Sequence, residues 1–414
     1  MHSMSTQNTA STCIYCSSNG PFSAEHMIPA GLGADDKRFL LRDMVCKTCN
    51  TTVFSPLELE WLRSSPTAIG RIFMQAEGRK RGSKKNPPKL GARTKVVVTP
   101  EGYTAEAEIG YRGTATILPQ LILVDDRQCS VSGSDKEEFS GFISQAQGLL
   151  GSSIACASKI DETGTRKFQI ATFVWMDEGY VEHGRTEVDE LPDACLLHFS
   201  IEPDGQGKFA SNSRLFRRPG GQMVVRVRND LPIERALTAF RKVVEQLDLA
   251  AVQESDLQNP LVSLNFSFQL DVTGRVLAKT GLNILGYLLG ADYVGHPEFQ
   301  SLKKAIKTGD PFIPPFTEEA KAPFRMFFSG LPSTHHGFLI SAHPWREQTC
   351  GIGLVARLYG SQIEVVKLGH GLPFPSINLP VVFTVDYGAH LVEQYGLMDY
   401  MQKYPIKAQS PSVY

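Results

Sequence analysis

The chain has 414 residues, 42% of them hydrophobic and 21% charged, with a formal net charge of −1 at pH 7. This is ordinary globular composition, with apolar mass for two or three domains. It excludes a protein-wide basic field, so a nucleic-acid partner has to be met by a local basic patch.

Residues 1–11 are polar and lack the apolar core and cleavage site of a signal peptide. Residues 12–77 are dense in turn formers and ligand-type side chains. They predict short strands and turns, then a helix opening at Ser55-Pro56 and restarting after Pro66, because proline is tolerated in a first helical turn. Residues 78–94 form a basic linker, since the run from Arg79 to Lys95 is rich in Lys and Arg and nearly free of apolar residues. From 95 to 414 the pattern predicts a larger mixed α+β region with room for two subdomains. Strands are expected at 95–99, 104–110, 115–124, 167–176, 222–227, 263–272, 336–342 and 381–385. A hairpin is expected over 352–368, turning at Tyr359-Gly360-Ser361. Helices are expected at 137–150, at 233–247 (Ile233, Leu237, Phe240, Val244 and Leu247 on one face), at 275–290 and at 297–308. Lys279 and Asn283 share one side of the apolar 275–290 helix, either buried and paired or facing a ligand. No run of ~18 apolar residues occurs, so no membrane span is expected.

Four of the eight cysteines form two CxxC pairs, Cys13/Cys16 and Cys46/Cys49. The other four (Cys129, Cys156, Cys195, Cys350) are scattered. Without a secretion signal this argues for reduced thiols, a metal site and a cytoplasmic protein. Each CxxC offers two thiolates on one turn, and two pairs complete a tetrahedral structural Zn²⁺ site that contributes folding energy.

Between the pairs lies Phe22-Ser-Ala-Glu25-His26-Met-Ile28-Pro29, and Asn50 follows Cys49 directly. The order CIYC…EHMIP…LG…VCKTCN…E resembles the zinc-ribbon subclass of HNH endonucleases over about residues 12–62. That resemblance implies an α+β chain, with a small zinc-stabilised ββα-metal module ahead of a larger mixed α+β domain. It implies a hydrolase cutting phosphodiester bonds, with His26 as general base and Glu25 and Asn50 as ligands of a catalytic Mg²⁺ or Mn²⁺. The ion would stabilise developing charge, and a neutral imidazole near its ordinary pKa of ~6.5 suits the proton transfer. Glu58 is a further ligand, a partner behind the ligands, or a solvated first-turn glutamate. The orienting residue of the family has no clear counterpart, and Asp43 stands near its place. Adjacent strand residues point to opposite faces, so Glu25 and His26 converge only if the strand is distorted. Residues 275–312 resemble a region found downstream in bacterial HNH-containing proteins.

The expected partner is double-stranded DNA, met by the basic run or by Arg214, Arg217, Arg218, Arg226 and Arg228, and the expected setting is restriction or anti-phage defence. Two alternatives stay open: a non-catalytic zinc-ribbon nucleic-acid binder, and a nuclease gated by a small-molecule ligand of the C-terminal region; a homo-oligomer is open as well. His335, His336, His343 and His370 lack paired spacing and read as structural.

Overall fold

Ser65 shows how the sequence sets its local turns. Its hydroxyl donates to the Trp61 carbonyl at 2.6 Å and accepts from the Thr67 N–H at 3.2 Å. It thereby closes helix Ser55–Ser64 and opens Pro66–Met74. In the computed structural model, residues 12–78, 87–92, 94–100, 102–124, 128–160, 167–201, 212–253, 255–257, 259–265 and 268–407 are described. They form a mixed α+β fold in two compact units. One unit takes the described residues through Ala92, Gly110–Gly113 and those from 268 onward; the other takes the described residues between.

The first unit differs from the expected division. Residues 12–77 have no core separate from the C-terminal region. Met27, Leu41, Val45, Phe54 and Trp61 belong to the same apolar cluster as Val276, Leu282, Leu285, Phe338 and Ile352. Helix Leu270–Val294 lies at the centre of this cluster and is longer than the expected 275–290. It carries glycine where neighbours come close. A Cβ on Gly281 would meet Leu368 at 2.7 Å, and one on Gly286 would meet Leu41 at 3.2 Å. The helix backbone is broken at Gly290, whose φ of 85° is open to glycine.

The helix packs on an antiparallel sheet of order Gln362–Pro373, Thr349–Leu358, His335–Arg346, Val381–Asp386 and Leu391–Gly396. The predicted hairpin turns where expected, with Tyr359 at φ 41° and Gly360 at φ 85°, a pair of positive values that suits the strand twist. Side chains alternate between two cores. Phe338 and Ile340 face the long helix, while Leu339 joins Val355, Val382 and Tyr400 on the other side.

In the second unit an eight-stranded sheet of described residues runs in the order Gly179–Val188, Lys167–Met176, Ser153–Ile160, Leu196–Ile201, Met223–Arg228, Arg214–Arg217, Gln120–Leu123 and Cys129–Ser132. Helices Lys136–Leu149 and Ile233–Gln246 set Phe139, Phe142, Leu237 and Phe240 against it, so the predicted 233–247 face is a core face. A smaller sheet pairs Leu261–Asn265, Thr94–Val98, Thr104–Ile109 and Ala115–Ile117. The predicted strand 263–272 therefore ends at Asn265, and Leu270–Val272 already belong to the long helix.

Two basic segments are the candidate phosphate tracks. Residues 79–86 of the first lie outside the described residues. Four of the five arginines of the second have partners within the protein, and Arg218 lies over the Phe199 ring at 5.3 Å. Arg214 and Arg226 are buried and sit 3.8 and 3.4 Å from Glu106, Arg217 donates to the Glu138 carbonyl, and Arg228 pairs with Asp230.

Candidate functional site

The chain from Cys13 to Asn50 folds as two knuckles facing each other. Cys13 and Cys16 flank a turn closed by the Ser17 N–H on the Cys13 carbonyl at 2.8 Å, and Ser17 takes φ 58°. The second knuckle is tied to it by the Ile14 N–H on the Met44 carbonyl at 2.9 Å. All four sulfurs lie within 4.8 Å of one another, with Cys16 and Cys46 at 3.5 Å. A tetrahedral Zn²⁺ with Zn–S near ~2.3 Å needs sulfurs ~3.8 Å apart, so the cluster has the right size. The N–H groups of Cys46 and Cys49 point at the sulfurs of Cys13 and Cys46, each at 3.4 Å. Burial, the Cys16 side chain and the Cys13 charge push the Cys49 thiol far up. Four crowded sulfurs cannot all ionise alone, and a divalent ion is what lets them do so. The four cysteines are thus compatible with a zinc site. Among the described residues they are the one group of three or more His, Cys, Asp or Glu side chains that could hold a metal.

The two-residue strand Glu25–His26 pairs antiparallel with Leu40–Leu41. The strand stays regular, and its two side chains take separate partners. His26 Nε2 lies 3.3 Å from Asp35 Oδ1, with both side chains about one-fifth exposed (20% and 17%). Asp35, and not Asp43, is the carboxylate at the ring. Asp43 is exposed at φ 57° in the turn before Cys46. Asn50 lies in the first turn of the helical segment Cys49–Phe54 and donates from Nδ2 to Ser23 Oγ at 3.0 Å, which ties it to the segment leading into the strand.

Glu25 goes inward and is 5% exposed. Its carboxylate meets the ammonium of Lys279, which is fully buried on the long helix. Glu58, from the first turn of Ser55–Ser64, meets the same ammonium at 2.5 Å, and the Phe54 ring lies 5.3 Å from it. Burial opposes the lysine charge, but Glu58 and Glu25 outweigh it and hold Lys279 above its ordinary range. Glu58, about one-fifth exposed (21%), is thus paired with Lys279 and not freely solvated.

One turn along the helix, Asn283 donates to the His26 carbonyl at 3.1 Å and accepts from the Tyr15 hydroxyl at 2.7 Å. The Tyr15 ring packs edge-on against Phe54 at 4.6 Å. Burial, then the Glu25 charge, pushes the Tyr15 phenol well up, so it is a hydrogen-bond donor here. The predicted pairing of Lys279 and Asn283 on one helix side is thus observed, with a shared target: the strand that carries Glu25 and His26.

Two contributors escaped the sequence reading. Asp35 is one of two adjacent aspartates, and no spacing rule singles it out. It reaches His26 because the chain reverses through the 3₁₀ turn Ala30–Leu32 and Gly33 at φ 88°. Tyr15 lies inside the first CxxC, where residue type alone gives no sign of a partner at 283. Phe54 and Trp61 are core. The late histidines belong to no group of three or more potential metal ligands among the described residues, and His335 lies 3.9 Å from Asp386. No helix of the described residues is long and apolar enough to cross a membrane. Comparison of the chain with protein-family models, with curated proteins and with solved structures finds no match in any of the three.

Proposed function

We propose that this chain is an HNH-type endonuclease that hydrolyses phosphodiester bonds of DNA. The observation that carries the reading is the His26–Asp35 pair, 3.3 Å apart, on a strand held between the two cysteine knuckles. A carboxylate on one ring nitrogen fixes the tautomer and raises the basicity of the other. With the Nε2–H directed at Asp35, the ring lone pair lies on Nδ1. Nδ1 takes a proton from water, the water oxygen forms a bond to phosphorus, and the bond to the 3′ oxygen breaks. The leaving oxygen then takes up a proton from solvent. Asn50, beside the strand, presents an amide for the phosphate or its water shell.

A hard ion such as Mg²⁺ or Mn²⁺ ordinarily supplies charge stabilisation in this chemistry. The residues expected to hold it do not fit that task as arranged, because Glu25 and Glu58 are both committed to Lys279. Double-stranded DNA as partner, a cytoplasmic setting and a role in restriction or anti-phage defence belong to the same proposal.

The test is cleavage of plasmid DNA by the zinc-loaded chain in Mg²⁺, in Mn²⁺ and in chelator, beside His26→Ala and Asp35→Asn. His26→Ala is expected to lose ~10²–10⁴-fold in rate, the usual contribution of a general base. Asp35→Asn is expected to lose ~10–100-fold, as for a ligand-orienting partner. Both variants should keep their zinc. Cleavage that His26→Ala leaves unchanged would sink the proposal, and DNA binding without cleavage in all conditions would favour the zinc-ribbon binder.

A further inference from the structure

The family pattern puts a divalent ion on the carboxylate preceding the base histidine. This chain puts an ammonium there. Glu25 and Lys279 are in contact at 5% and 0% exposure, and Glu58 meets the same Nζ at 2.5 Å. A Mg²⁺-type ion held by one or two carboxylates keeps several waters and demands near-octahedral space around it. A fully buried ammonium against the same two carboxylates fills that space and repels a second cation. The pleat also directs Glu25 inward, while His26 takes Asp35 as its partner.

The geometry points to a different assignment. Glu25 and Glu58 are the charge partners of Lys279 and are not ligands of a divalent ion. Lys279 is the positioning residue that fixes the Glu25–His26 strand from the long helix. Asn283 serves the same end four residues on, through the His26 carbonyl at 3.1 Å. The statement about ligands stands apart from the nuclease reading; the positioning role rests on it.

Two carboxylates and one ammonium leave one net negative charge, so the decisive experiment lets a divalent ion compete. Mn²⁺ binding to the zinc-loaded full chain is measured by electron paramagnetic resonance for wild type, Glu25→Gln, Glu58→Gln and Lys279→Met. All three variants are expected to keep Mn²⁺ affinity within about twofold of wild type, because none alters an ion's ligand set. A loss of about tenfold or more in a Gln variant that retains zinc and its circular dichroism overturns the assignment, as does a gain of that size in Lys279→Met. If Lys279→Met does not fold, the two Gln variants decide. Wild type that binds no Mn²⁺ leaves the assignment standing and removes a metal-assisted nuclease instead. For the positioning role, Lys279→Arg keeps the charge and changes its shape. It is expected to lower kcat about tenfold with KM within about twofold, a split that lost stability alone does not produce. Unchanged kcat in folded Lys279→Arg overturns that role, whereas loss of the His26 dependence in wild type would strike the nuclease reading itself.

Discussion

Two buried basic side chains of the first unit show how residue environment sets charge. Lys279 stays charged because two carboxylates meet it. His336 makes no ion pair with a carboxylate among the described residues. It is fully buried between the rings of Tyr359 and Tyr387, at 4.5 and 4.8 Å, and its Nδ1 accepts the Tyr359 N–H at 3.3 Å. Burial, then the charge of Arg357, pushes its imidazole down to about 3. The unfolded chain, with an ordinary value of ~6.5, therefore binds the proton more tightly than the folded one. Stability contributed by neutral His336 is complete above ~6.5 and is lost as pH falls toward 3, at ~1.4 kcal/mol per pH unit. Urea unfolding from pH 7.5 to 5 should show a steeper loss for wild type than for His336→Asn. Parallel curves would refute this account.

At the scale of elements, the cysteine knuckles and the long helix hold the same strand from two sides. The knuckles bring Phe22 and Cys46 into a β-bridge, and the helix supplies Lys279 and Asn283. Zinc held by the four cysteines would, on removal, free four buried or crowded sulfurs and the two turns that carry them. Because the knuckles share a core with the helix, chelation should lower the melting temperature of this unit as a whole. Calorimetry with and without a strong chelator checks this, and a melting curve indifferent to zinc removal would count against a structural metal. Zinc commonly supplies a large part of the folding energy of such segments, ~10–16 kcal/mol in isolated fingers.

For the whole molecule, the first unit joins sequence ends that are far apart. Residues 12–77 bury their apolar side against Leu270–Val294 and its sheet, and their one buried carboxylate against Lys279. Expressed alone with zinc, residues 12–78 should lack cooperative melting and bind a hydrophobic dye, since this surface would face water and Glu25 would lose its counter-charge. A sharp, reversible transition for the isolated piece would show the core to be less shared than its packing indicates.

Much of this was legible in the chain. The paired spacing of Cys13, Cys16, Cys46 and Cys49 predicted their meeting, since a CxxC turn brings two sulfurs together locally. The helical face of Ile233, Leu237, Phe240 and Val244 and the turn at Tyr359-Gly360 followed from period and from glycine's tolerance of positive φ. Other elements were not legible. The strands Ser153–Ile160, Gly179–Val188 and Leu196–Ile201 carry weak or mixed alternation, and neighbouring strands select them. Which aspartate reaches His26, and which charge Glu25 meets, depended on contacts 9 and 254 residues apart in sequence. The sequence by itself determined the local pieces: the knuckles, the amphipathic helices and the adjacency of Glu25 and His26. Only the tertiary structure decided their partners, because a buried carboxylate must find its counter-charge wherever packing of the apolar core brings one.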